Sequence, residues 1–255
     1  MSFYDLSKEN RARLVKQVKG AILQDVTKGS LHKTLLYFSD EDTYIRKAAY
    51  LSMGRIYMET PENQKRIIKV LNELLENDRA SIRQTVVNTA GEIGKVDFAV
   101  VEHFFKKALF DEHHSVRNAV IGSVKKMSEK NPVPVLEWAK QFLYHEDKEI
   151  RREICHGIEL RGRTHPQDIL PLLKELQFDK TARVRNILVH VIGQIAYKKG
   201  CLATVIKDLN TWGNTEVTDK AVEEIIDVHY RYRDFSVLTQ EQAIEYINRH
   251  YKKRS

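Results

Sequence analysis

The chain has 255 residues, 42 Lys and Arg against 35 Asp and Glu, and a formal net charge of +7, with a pI near 9.2. No stretch approaches the roughly 18 consecutive apolar residues of a membrane span. With only Cys155 and Cys201 present, no disulfide framework is expected. The basic balance fits an acidic partner such as nucleic acid, and fits simple solubility equally well. The opening "MSFYDLSKENRARLV" lacks the apolar core and small-residue cleavage site of a secretory signal, so a cytoplasmic protein without a membrane partner is expected. Five Pro and 11 Gly among many Leu, Ile, Val, Ala, Lys and Glu favour helices.

In chain order, residues 1–39 predict one helix from Ser7 to Lys19 followed by half a repeat, "LHKTLLYF". Residues 40–212 then hold five related blocks. "DEDTYIRKAAYLSMGRI" begins at Asp40, "NDRASIRQTVVNTAGEI" at Asn77, "DEHHSVRNAVIGSVKKM" at Asp111, "HEDKEIRREICHGIELR" at His145 and "DKTARVRNILVHVIGQI" at Asp179. Each sets Ile or Val before an Arg at one offset: Arg46, Arg83, Arg117, Arg151 and Arg185. Apolar residues follow three, four and seven places after the Arg, such as Val120, Ile121 and Val124, or Leu188, Val189 and Ile192. They form one face of an α-helix. A second helical segment closes each unit, for example "QKRIIKVLNELL" and "FAVVEHFFKKAL", with Pro132, Pro134 and Pro166 at the starts of two of them. Asp40, Asn77, Asp111 and Asp179 suit a turn or N-cap ahead of the Arg helix. Residues 213–255 continue the register weakly, with Asp219 where an Arg would stand, and read as a divergent capping repeat.

A helix pair cannot bury its own apolar face, so stacked pairs are expected to share one core. The predicted fold is all-α: a single right-handed α-solenoid of helix–turn–helix repeats across residues 1–255. The "D-x-x-x-x-[IV]-R" cadence, with Gly54, Gly91 and Gly193 at one later offset, resembles the HEAT repeat over roughly residues 30–230. That resemblance implies an Asp/Arg ladder between successive repeats and Arg-bearing helices lining a concave surface. Asp40, Asp111 and Asp179 match the ladder acid, while Asn77 and His145 depart from it. Lys125 and Glu159 stand where the other repeats have glycine, and wider helix spacing or a local change of curvature is expected there.

The stretch "NPVPVLEWAKQFLYHEDKEIRREICHGI" is similar, more narrowly, to the HEAT-like alkylpurine DNA glycosylases of the bacterial alkylation-repair family. That likeness implies a basic groove for DNA and an acid in place of a repeat Arg, beside aromatics. Asp219, with Trp212 upstream, is the position that matches; it lies in the last repeat and its aromatic is single.

If the Arg helices line the groove, the positions one, five and nine after each Arg face it. The first row is Lys47, Gln84, Asn118, Arg152, Asn186 and Lys220, basic or amide throughout. Such a row can contact phosphate by charge and hydrogen bond. The second row includes Asn88, His156, His190 and Glu224, and the third Arg55, Glu92, Lys126, Leu160 and Gln194. His156 and His190 are equivalent residues of adjacent repeats, expected about 10 Å apart by helix spacing, too far to share a metal ion without a bridging group. Arg interleaved with Tyr in "HYRYRDF" could stack on bases, or could belong to a capping helix. Cys155 reads as a buried, inert thiol. No phosphate-binding loop, dinucleotide fingerprint, C-x-x-C pair or zinc-protease motif is present, and the one His-Glu dipeptide, His145-Glu146, falls at a turn. The expectation is therefore a binding scaffold for an extended protein or nucleic acid, without cofactor or metal. A DNA glycosylase is the alternative.

Overall fold

A computed structural model describes residues 2–253. Among them every regular element is a helix, and the chain forms an α-solenoid of stacked helix pairs. It divides into two compact units, residues 1–131 and 132–255. The boundary falls between the two helices of the third repeat.

The first unit contains α1 (Lys8–Lys28), α2 (His32–Phe38), α3 (Thr43–Glu59), α4 (Gln64–Leu75), α5 (Ala80–Gly94), α6 (Phe98–Ala108) and α7 (His114–Lys130). The Arg helices α3, α5 and α7 stack in one layer, with α1 continuing it, and α4 packs on α6 in a second. α1 runs nine residues past the predicted end at Lys19, because its second half supplies Val18, Ile22 and Val26 to the core. It stops at Gly29, whose left-handed φ of 72° closes the helix. Asp25, buried near that end, then accepts from the backbone N–H and hydroxyl of Thr34 and so seats α2.

In α4, Ile67, Val70, Leu71, Leu74 and Leu75 are buried, the spacing of a single apolar stripe. A fully buried Leu of this kind contributes about 1.5–3 kcal/mol. Close approach in the Arg layer explains a mid-helix glycine that would otherwise cost about 1 kcal/mol against Ala. A Cβ on Gly91 would stand 2.4 Å from Ser123 Oγ.

The second unit contains α8 (Pro132–Lys140), α9 (Lys148–Gly157), α10 (Glu159–Gly162), α11 (Pro166–Lys174), α12 (Ala182–Ala196), α13 (Cys201–Leu209), α14 (Thr215–Arg231) and α15 (Gln240–His250). Here α9 and α10 with α12 and α14 make the Arg layer, and α11, α13 and α15 the other. The fourth Arg helix is interrupted at Ile158, between α9 and α10. The break sits beside Glu159, the residue in a glycine slot where a change of curvature is expected. Close approach moves three residues on, to Gly162, whose added Cβ would stand 2.4 Å from Ile195.

One local device recurs before all five Arg helices. A side chain accepts the backbone N–H two residues ahead: Asp40 from Asp42 (2.8 Å), Asn77 from Arg79 (3.0 Å), Asp111 from His113 (2.8 Å), His145 from Asp147 (3.0 Å) and Asp179 from Thr181 (2.8 Å). These residues build the turn. Capping falls two places later, where Asp42, His113 and Asp147 accept from the first helical turn. An imidazole nitrogen can accept this bond, which explains how His145 stands in the series.

The arginines complete the turns. Arg46, Arg83, Arg117 and Arg151 each donate through Nη1 to the two carbonyls six and five residues back, and Arg185 donates to that of Asp179. Within each unit one arginine also grips the next repeat bidentately. Arg83 meets Asp111 at 2.7 and 2.9 Å, and Arg151 meets Asp179 at 2.5 and 3.0 Å. Where Asn77 replaces the acid, Arg46 reaches Gln84 Oε1 instead, at 3.4 Å.

Burial pushes the Asp111 carboxyl up, but bonds from Arg83 and the His113 N–H, with the guanidinium charge, outweigh it and hold the group below its ordinary 3.8. Its contribution to stability is therefore present above that value and lost as pH falls through the depressed folded one. Asp111→Asn keeps the turn acceptor and is expected to cost about 1.5–3 kcal/mol near neutrality. Thermal melts from about pH 6 to about pH 3 should show wild type and variant converging; a gap independent of pH contradicts the rung. Val120 and Ile192 are buried, one in each unit. Changing either to Asp is expected to cost at least about 3 kcal/mol, an unpaired charge in a packed core, and near-native chemical denaturation would refute the core assignment.

Candidate functional site

The Arg helices carry the candidate face because their apolar side is committed to packing and their turns are fixed by the arginines. In the first unit, Lys47 and Asn118 are exposed at the first-row positions. Gln84 between them is half-buried: besides accepting from Arg46, its Nε2 donates to the Ser115 carbonyl at 3.3 Å. Asn88 is half-buried too, its Nδ2 donating to the Gln84 carbonyl at 3.0 Å. Gln84 thus serves the stack as well as the face, while Asn88 bonds back onto its own helix. Along the third row, Glu92 receives Lys95 and Lys126, and Lys126 lies over the Tyr50 ring at 5.4 Å.

In the second unit Asn186 is exposed, while the first-row cations have carboxylate neighbours. Arg152 Nε donates to Glu149 at 2.8 Å, and Lys220 to Glu216 at 2.6 Å. The second row holds a cluster. The His156 and His190 rings meet edge to face with centroids 6.0 Å apart. This corrects the expected separation of about 10 Å: that figure is the distance between helix axes, and two long side chains leaning inward close it. His156 Nε2 lies 3.3 Å from Glu159 Oε2, and His190 Nδ1 lies 3.5 Å from Glu224 Oε1. Glu159, 2% exposed, is held through its other oxygen by Arg163 at 2.5 Å, and Arg163 is steadied by Gln194 at 2.9 Å. One potential ligand atom from each of His156, Glu159 and His190 lies within 4.8 Å of the other two.

Glu159 had a signal in the sequence. An acid in a glycine slot, three residues after a histidine on the same helix face, points to a paired side chain.

Asp219 and Trp212 are not brought together as a reactive acid beside an open ring. Trp212 is buried, with its indole N–H donated to Asp208 at 2.7 Å. Asp219 Oδ1 accepts from the Tyr251 hydroxyl at 2.8 Å, so the C-terminal segment lies against it. In the Arg-Tyr segment, Arg231 binds Glu224 (2.7 Å) and Asp227 (2.5 Å), and Tyr232 stacks on Tyr197 at 5.4 Å. Tyr230 is exposed. His113 and His114 stack on one another at the exposed turn, His113 capping α7. The Cys155 thiol is buried and pushed up by that burial, with the Glu159 charge adding to it. No described helix is long and apolar enough to cross a membrane.

No family model matches the chain, and no curated protein matches it in sequence. Among solved structures, YibA of Escherichia coli is similar, 17% identical over 98% of this chain and 89% of that one, with a TM-score of 0.46. A computationally designed armadillo repeat protein for modular peptide recognition is 16% identical over 78% of this chain and 99% of that one, with a TM-score of 0.34.

Proposed function

We propose that this helical-repeat chain is a HEAT-type binding scaffold that receives an extended polypeptide bearing acidic side chains on the face of its Arg helices. One observation carries the reading: in each unit the first row offers an amide or a cation on every Arg helix and no carboxylate. A peptide presents donors and acceptors along its backbone, and exposed amides such as Asn118 and Asn186 can answer both. In the first unit the exposed Lys47 then attracts the acidic side chains.

A polyphosphate is a poorer fit. It presents acceptors and dense negative charge, whereas Arg152 and Lys220 already have carboxylate partners and Glu92 and Glu224 stand on the adjoining rows. Catalysis on a DNA base gains no support from the surroundings of Asp219, since the nearby Trp212 has no exposed ring on which a base could stack.

Fluorescence anisotropy with a labelled poly-glutamate peptide and with a labelled DNA duplex, each across a salt series, tests the reading. The peptide is expected to bind at low salt, and Lys47→Glu combined with Asn118→Asp to weaken it about tenfold or more, equivalent to about 1.4 kcal/mol. Binding of the duplex alone, falling steeply with salt, would assign the face to nucleic acid. Peptide binding indifferent to both substitutions would remove the face.

A further inference from the structure

We infer that His156, Glu159 and His190 form a binding site for one divalent first-row transition-metal ion, with zinc as the occupant that best fits the donor set. Two imidazoles and one carboxylate suit zinc and its neighbours in the series, and do not suit magnesium or calcium, which take oxygen ligands.

The geometry is near what such an ion requires. Zinc stands about 2.0–2.1 Å from nitrogen or oxygen ligands, which places tetrahedral ligands about 3.3 Å apart. The three candidate atoms lie within 4.8 Å of one another. His156 and His190 are both partly exposed and can close the remaining distance by small side-chain rotations. Glu159 cannot move far and need not. Arg163 holds Oε1, and Oε2 is the oxygen directed toward His156 Nε2.

The surroundings match the support that metal ligands ordinarily receive. A metal-bound histidine usually donates its other ring N–H to a carboxylate, and Glu224, 3.5 Å from His190 Nδ1, takes this role when Nε2 binds the ion. Glu224 is in turn anchored by Arg231 at 2.7 Å. The break at Ile158 matters here too, because it separates α9, which ends next to His156, from α10, which begins with Glu159. An ion at this point ties the fourth and fifth repeats together. Three protein ligands leave a fourth position for water or for a carboxylate from outside. The binding of the ion does not depend on what the face receives.

The test uses the full chain, stripped with a chelator and titrated with Zn²⁺ by calorimetry and with Co²⁺ by visible absorption. One ion per chain is expected, with the intense d–d bands of low-coordinate cobalt. Removing an outer-shell partner alone typically lowers metal affinity about 10–100-fold, so His190→Ala and His156→Gln, which remove ligands, should each lower it by at least about a hundredfold. His190 is partly exposed, so its replacement leaves the core packing in place; circular dichroism and a thermal melt without metal verify this. The exposed pair His113 and His114 is the competing source of binding, and replacing both by Ala should leave affinity and stoichiometry unchanged. Absence of a bound ion, equal affinity in His190→Ala, or loss on replacing His113 and His114 would each overturn the site.

Discussion

The fold depends on an arginine that closes its own turn. A chain that reverses between two helices leaves backbone carbonyls without helical partners, and burying them unpaired is costly. A guanidinium placed six residues beyond the turn answers two of these carbonyls through one nitrogen and keeps others for a neighbour. Its bonds are charge-assisted and planar, so they fix direction as well as energy. With the turn fixed, the following helix leaves it at a set angle and presents the same apolar stripe in every repeat. Burying the arginine is tolerated because nearly all of its donors are used. Arg83 and Arg151 show the full arrangement, with turn carbonyls on one side and a bidentate aspartate of the next repeat on the other.

Much of this was legible in the sequence because repetition amplifies weak signals. A lone Ile-Arg pair means nothing, whereas five at a regular offset fix the register of the Arg helices. The acids at Asp111 and Asp179 followed from the same register, and so did the exposure of Lys47, Asn118 and Asn186, whereas Gln84 and Asn88 are half-buried. His113, on the turn that opens the third block, caps the helix that follows it.

What was not legible depends on side-chain reach and on local departures from the repeat. The spacing of His156 and His190 was judged from helix axes, and axes do not say which way a side chain leans. Glu159 stood out as a missing glycine, but Gln194, which steadies its partner Arg163, comes from the next Arg helix, far away in sequence. The length of α1 was underestimated because its polar residues hide a sparse apolar stripe, Val18, Ile22 and Val26, that makes sense only against α3. The burial of Trp212 similarly depends on the neighbours that enclose it.

The central claim is that the arginine couples repeats as well as closing turns, and a double-mutant cycle on Arg151 and Asp179 tests it most directly. Both side chains are nearly inaccessible, 6% and 5% exposed, so solvent screening is slight. Urea denaturation of wild type, Arg151→Met, Asp179→Asn and the double variant should give a coupling of about 1.5–3 kcal/mol, the upper part of the range for residues in one network. Additive effects, with coupling within about 0.5 kcal/mol of zero, would mean that each turn is stabilised by itself and that the repeats are held together by apolar packing alone.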